Sequence, residues 1–192
     1  MRTAQTFIGA LLPALFLMAT SCCHTDAPTP ATALGTVRDE LPKLGHRNWI
    51  VIADSAYPWQ SRDGIETVVT SEDQLQTVKA VLEAVDQTRH VRANIFLDSE
   101  LPRVPEANAA GVTFYRDQLD KLLDKRTVQY LPHEQIIAKL DDAAKVFHIL
   151  IVKTIMTIPY TSVFLQLDCA YWGPEAEKHL RDAIGPTTQK AP

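Results

Sequence analysis

The sequence predicts an α/β domain in layers, with a partly parallel sheet. Three observations predict it. Short β-rich runs alternate with amphipathic helical stretches from about residue 45 to residue 170. One run, Trp49 to Ala53, is apolar throughout and rich in β-branched residues, the pattern of a strand covered on both faces. The 192 residues, 46% of them apolar, give one domain enough length for a real core.

The chain opens with a segment outside that domain. Arg2 precedes an apolar run from Phe7 to Ala19 and then Thr20, Ser21 and Cys22, the layout of a secretory signal over residues 1–21. The run is too short and wrongly flanked to span a membrane. Ala19 to Cys22 also matches a bacterial lipobox, which makes Cys22 the candidate lipidated residue; Cys23 fits less well, and plain secretion is the alternative. Residues 22–35, rich in Pro, Thr and Ala, read as a flexible tether. The domain is expected over 36–185, with a tail at 186–192.

Within the domain, Val37, Leu41 and Leu44 share one face of a short helix ending at Gly45, with Pro42 arguing against an unbroken helix. Strand 49–53 follows, then a strand over 65–69. A helix over 71–86 opens on Ser71 as N-cap and carries Leu75, Val78, Leu82 and Val85 on one face. Strand 91–97, a loop over 98–110, helix 112–123 and strand 127–131 come next. Pro132 opens a helix whose apolar face is Ile136, Ile137, Leu140, Ala143, Ala144 and Phe147. Runs at 148–152 and 162–167 read as the last strands, joined by a loop over 154–160. Residues 174–184 form a weak surface helix.

Composition excludes several classes of function. Net charge is −4, or −5 without a leader carrying Arg2, and no basic run exists, so nucleic-acid binding is not expected. Two of three cysteines flank the cleavage site, leaving Cys169 alone in the domain, with no disulfide framework and no zinc spacing. No glycine-rich phosphate loop is present.

The stretch from Gly45 to Pro58 carries the first candidate chemistry. His46 sits in the turn feeding strand 49–53, and Asp54 leaves at its carboxyl end, where ligands of open α/β sheets gather. The plain alternative is a glycine turn, a core strand and a capping Asp. His133 at a helix start is equally a solvated first-turn residue, and Tyr160 a turn residue. His90, His148 and His179 have no nameable partner, and Glu100 is either a site carboxylate or, on the simpler reading, a loop charge.

Gly45 and His46, Asp54 eight residues on, and then Ala56, Tyr57 and Pro58 resemble the opening motif of the RbsD/FucU family, the D-ribose pyranase and L-fucose mutarotase proteins. Val128 to Gln135, with His133 opening a helix, resembles a second family block. Thr154 through Tyr160 and Ser162 to Leu165 resembles the family's ending. The three come in family order across roughly residues 35–170. The resemblance implies a layered αβα sandwich, assembled as a homo-oligomer with the sugar site at the subunit boundary, and no metal or cofactor. It implies His46 as proton donor, and Asp54, His133, Tyr160, Thr161 and Ser162 as the residues holding a monosaccharide such as ribose or fucose. Ile155 and Met156 stand where the family carries Gly and Glu, Ser162 where it carries Asn, and the chain runs on past the family's usual end.

Mutarotation fits these residue types. A cyclic hemiacetal opens when one group protonates the ring oxygen and another takes the anomeric hydroxyl proton, work suited to a side chain titrating near neutrality. The expected function is thus a cell-envelope monosaccharide mutarotase or pyranase, lipid-anchored or secreted to the periplasm, touching membrane through its anchor only. The alternative is a catalytically inactive monosaccharide- or protein-binding lipoprotein on the same scaffold. The mutarotase reading expects His46 and Asp54 to face one sugar-sized hollow from the two ends of strand 49–53.

Overall fold

The structure, a computed structural model, describes residues 32–185. The expected signal over 1–21, the lipidation candidate Cys22, most of the tether and the tail from 186 lie outside the described residues.

Helix α1 spans Ala33–Glu40, earlier than expected, because Thr32 caps it by accepting from the Gly35 N–H at 3.0 Å. It ends two residues before Pro42, whose missing N–H cannot extend it. The helix therefore does not run to Gly45, and the positive φ in the turn before the next strand falls on Arg47, at 75°.

Strand β1 is Trp49–Ala53 and β2 is Ile65–Val69, both as expected. Helix α2 runs Gln74–Asp86 and is capped by Asp73 rather than Ser71, the carboxylate accepting from the Leu75 and Gln76 N–H groups. Strand β3 is Val91–Asp98, one residue longer than expected, and a 3-10 turn at Leu101–Arg103 interrupts the loop after it. Helix α3 is Val112–Leu123, β4 is Val128–Leu131, α4 is His133–Ala143, β5 is Ile149–Lys153, β6 is Val163–Cys169 and α5 is Pro174–Ile184.

The six strands form one sheet in the order β2-β5-β1-β6-β3-β4. Pairings β1 with β5, β2 with β5 and β3 with β4 are parallel, whereas β6 runs antiparallel between β1 and β3. The partly parallel sheet is thus as predicted, and its one reversed strand sits in the middle. Period-two alternation divides the core. Ile50 and Ile52 of β1 pack with α1, α2 and α3 on one face. Trp49, Val51 and Ala53 pack with Ile136 and Leu140 of α4 on the other. All five residues of β1 are buried, so the strand is a rigid spacer between its two ends. Helix α5 buries none of its residues. Among the described residues no helix is long and apolar enough to cross a membrane.

Candidate functional site

The five parallel strands end at one edge of the sheet, and β6 begins there. Val163 pairs with both Ile52 and Leu97, so Ser162 enters the sheet between the ends of β1 and β3. Asp54 leaves β1 at this edge. Its Oδ1 accepts from the Ala56 N–H at 2.8 Å, fixing the turn, and its Oδ2 faces the Ser162 hydroxyl at 3.4 Å. The capping role and the site position of Asp54 are therefore compatible.

Asp98 closes β3 at the same edge and is fully buried. Its Oδ1 lies 3.1 Å from Nδ1 of His133. Burial raises the Asp98 carboxyl to about 6 even though His133 pulls it down; Glu100 and Asp54 add to the rise. Its second oxygen, Oδ2, is buried with no hydrogen-bond partner. His133 is held from two more sides. Both Glu100 oxygens accept from its backbone N–H at 3.1 Å, so Glu100 caps α4 in place of Pro132, which has no side-chain acceptor. The Tyr160 ring meets the His133 ring edge-on at 5.6 Å.

Tyr160 has φ 60°, a left-handed conformation costly for a side chain with a Cβ, and a hollow of about 360 Å³ opens beside it, lined by Glu100, Arg103 and Pro159. Thr161 is spent internally: its hydroxyl donates to the Ile158 carbonyl, and its own carbonyl accepts from Gln74 and from the Tyr115 hydroxyl at 2.7 Å. Of the residues expected to hold a sugar, Thr161 thus has its hydroxyl and its carbonyl both engaged within the chain. Gln74, buried, ties this edge together, donating to the Ile52 and Thr161 carbonyls and accepting from the Thr154 hydroxyl at 2.5 Å.

His46 stands at the other edge. The turn before β1 is pinned to β6, the Arg47 N–H donating to the Leu167 carbonyl and the Leu167 N–H to the Asn48 carbonyl. His46 Nδ1 thereby comes 2.8 Å from Asp168 Oδ1. Arg92 donates twice to Asp168 Oδ2, from Nη2 at 2.6 Å and Nε at 3.2 Å. Burial pushes the Asp168 carboxyl up, but hydrogen bonds from Arg92, the Cys169 N–H and His46 outweigh it and leave the group below its usual value. An ionised Asp168 accepts from Nδ1–H, so the opposite nitrogen, Nε2, is the one that can meet a ligand. The expectation that His46 and Asp54 face one hollow within a chain is corrected: all of β1, about 17 Å at the usual rise, lies between them.

Among the described residues, Glu40, Glu66 and His148 place ligand atoms within 4.8 Å of one another. The Lys43 ammonium, 2.6 Å from Glu40 Oε1, already supplies a cation there.

The sequence model of the RbsD / FucU transport protein family matches residues 36–169. The chain belongs to the RbsD/FucU family. Both edges described above lie inside the matched range, and residues 170–185, including α5, lie beyond it. No curated protein sequence gives a significant match. Among solved structures, Bacillus subtilis RbsD complexed with D-ribose is similar, at TM-score 0.50 and 20% identity over 69% of this chain and 91% of that one. The fucose mutarotase of Streptococcus pneumoniae, in complex with L-fucose, aligns at TM-score 0.44 and 20% identity over 68% and 89%. FucU from Bifidobacterium longum aligns at TM-score 0.46 and 17% identity over 69% and 92%.

Asp98, Arg92 and Asp168 are the polar residues that sequence reading missed. Asp98 had a usable signal, a carboxylate at the carboxyl end of a strand, the same cue that singled out Asp54.

Proposed function

We propose that this RbsD/FucU-family chain is a monosaccharide mutarotase or pyranase whose site forms between two copies. The observation that supports it is the pair of polar edges separated by β1: Asp54, Ser162, His133 and Tyr160 at one, His46 on Asp168 at the other. One copy's His46 meets a sugar held by another copy's Asp54, His133, Tyr160 and Ser162. The D-ribose in the similar Bacillus subtilis structure supports a monosaccharide as the ligand.

The chemistry needs two proton movements. One group takes the anomeric hydroxyl proton as the C1–O1 double bond forms and the bond from C1 to the ring oxygen breaks; the other gives a proton to the ring oxygen. Closure on the opposite face reverses both. His46, held through Nδ1–H by Asp168, gives the ring oxygen the Nε2 proton of its imidazolium form and takes it back on closure. Asp54 accepts hydrogen bonds from sugar hydroxyls, and the Tyr160 hydroxyl and the Ser162 hydroxyl supply further polar contacts. His133, oriented by Asp98, binds at the same edge. The signal read over 1–21 and the lipobox candidate Cys22 support a cell-envelope setting for this activity.

One observation favours the second reading, a catalytically inactive sugar- or protein-binding lipoprotein. The Met156 carbonyl accepts from the Ser55 N–H at 2.8 Å, which brings the segment carrying exposed Ile155 against the Asp54 turn and gives that rim an apolar side chain.

Anomer exchange followed by NMR saturation transfer with D-ribose, L-fucose and D-galactose separates the two. The mutarotase reading expects acceleration by wild type and a loss of roughly 100-fold in His46→Ala. Sugar-induced shifts of protein signals without acceleration leave the binding reading; no acceleration and no shift ends both.

A further inference from the structure

The segment beyond the family match builds a wall beside His46. After β6 ends at Cys169, the chain places Tyr171 and Trp172 at the surface before α5 begins. Both rings are exposed, Tyr171 by 78% and Trp172 by 42%, where most of the chain's large apolar side chains are buried. They line a hollow of about 630 Å³ together with His46, Arg92, Asp168 and Glu177. The indole is positioned: Trp172 Nε1–H donates to Glu177 Oε2 at 2.8 Å, and Arg181 donates to the other oxygen of the same carboxylate at 2.6 Å. Two aromatic faces, a guanidinium, two carboxylates and an imidazole around one open hollow are the furniture of a small polar ligand with an apolar face.

We propose that Tyr171 and Trp172 form a stacking wall for a pyranose ring, contributed by the same copy that supplies His46. A pyranose has hydroxyls around its rim and a patch of C–H bonds on one face. The C–H bonds suit the electron-rich face of an aromatic ring, and the rim suits Arg92 and Glu177. The inference rests on the mutarotase reading for the role of His46, and it adds a specificity element outside the family's matched residues. The ring is either a free monosaccharide or one unit of a reducing oligosaccharide. The dimensions of the hollow admit both.

The test uses the full chain with 15N-labelled tryptophan, whose three indoles are assigned by Trp172→Phe and Trp59→Phe. D-Galactose, L-fucose, D-ribose and lactose are titrated in, and anomer exchange is measured on the same samples. The proposal expects a saturable shift of the Trp172 indole resonance. It expects Trp172→Ala and Tyr171→Ala each to weaken sugar binding by roughly three- to tenfold, seen as a rise in Kd or KM with kcat nearly unchanged. A stronger shift with lactose than with galactose assigns the wall to a second ring; equal shifts assign it to the exchanging ring. A Trp172 shift without anomer exchange upholds the wall and removes the mutarotase reading. Anomer exchange with a silent Trp172 and unaltered KM in both variants overturns the wall and leaves the mutarotase reading intact. Loss of the oligomer in Trp172→Ala, with unaltered affinity per subunit, overturns the wall by assigning the aromatic pair to a subunit contact. A silent Trp172 with every sugar overturns it as well.

Discussion

His133 Nδ1 lies 3.1 Å from Oδ1 of Asp98, a carboxylate wholly removed from solvent at the end of a central strand. A buried carboxyl is favourable when protonated and costly when ionised, which is why its folded-state value rises to about 6 from an ordinary 3.8. Between those values the folded chain holds more protons at this position than the unfolded chain does. The contribution of Asp98 to stability is therefore full below pH 4 and falls as pH rises through 6. The loss reaches ~3 kcal/mol above pH 7 at one pKa unit per 1.36 kcal/mol. Urea unfolding at pH 4, 5, 6 and 7 checks this by the difference between wild type and Asp98→Asn, whose pH dependence lacks this fall. Taking the difference cancels carboxylates with lowered values, such as Asp168, that act in the opposite direction.

Gln74 spans the other side of the same edge. Its amide donates to the Ile52 carbonyl at 3.1 Å and the Thr161 carbonyl at 2.9 Å, and its oxygen accepts from Thr154. Gln74→Leu leaves those buried groups without that partner, and a loss of about 2–4 kcal/mol in chemical denaturation is expected. Gln74→Glu keeps the shape but brings a charge into a site that has no solvent, and is expected to destabilise too.

Asp168 does not touch the reacting atoms in this account. It holds His46 through Nδ1 while Arg92 holds its other oxygen. Asp168→Asn frees the imidazole to rotate, and kcat for anomer exchange is expected to fall by up to about 100-fold with KM little changed. Arg92→Lys, which keeps the charge and loses the planar fork, is expected to fall between wild type and Asp168→Asn.

Gly64 has no room for a side chain: a Cβ there would stand 2.9 Å from the Ala144 carbonyl oxygen and 3.0 Å from that of Phe147. Both contacts are backbone, so Gly64→Ala is expected to cost about 1–3 kcal/mol, read as a lower midpoint in urea.

The fold was largely legible where apolar periodicity was unbroken. Trp49 to Ala53, Ile65 to Val69 and Val112 to Leu123 have the bounds that their patterns predict. Bounds slipped where a side chain's own hydrogen bond decides them, as with Thr32 and Asp73 at helix starts. The site was legible in half. Motifs carry Asp54, His133 and Tyr160, but the apolar pattern of β3 fades at Leu97, so nothing local marks Asp98 as part of the strand. Arg92 and Asp168 are separated by 76 residues and meet only through the register of β3 on β6, which no local pattern encodes. A motif that joins His46 to Asp54 along the sequence says nothing about the distance between their side chains; the buried strand sets it.

In the proposed arrangement two copies complete one site, and mixing inactive variants checks this. His46→Ala retains an intact Asp54 and His133 edge, and His133→Ala retains an intact His46 edge. Each alone is expected to be inactive in anomer exchange. Dissociated, mixed in equal amounts and reassembled, they are expected to recover about a quarter of wild-type activity, since that share of boundaries receives both intact halves. A mixture that assembles as wild type does and stays inactive would contradict the account.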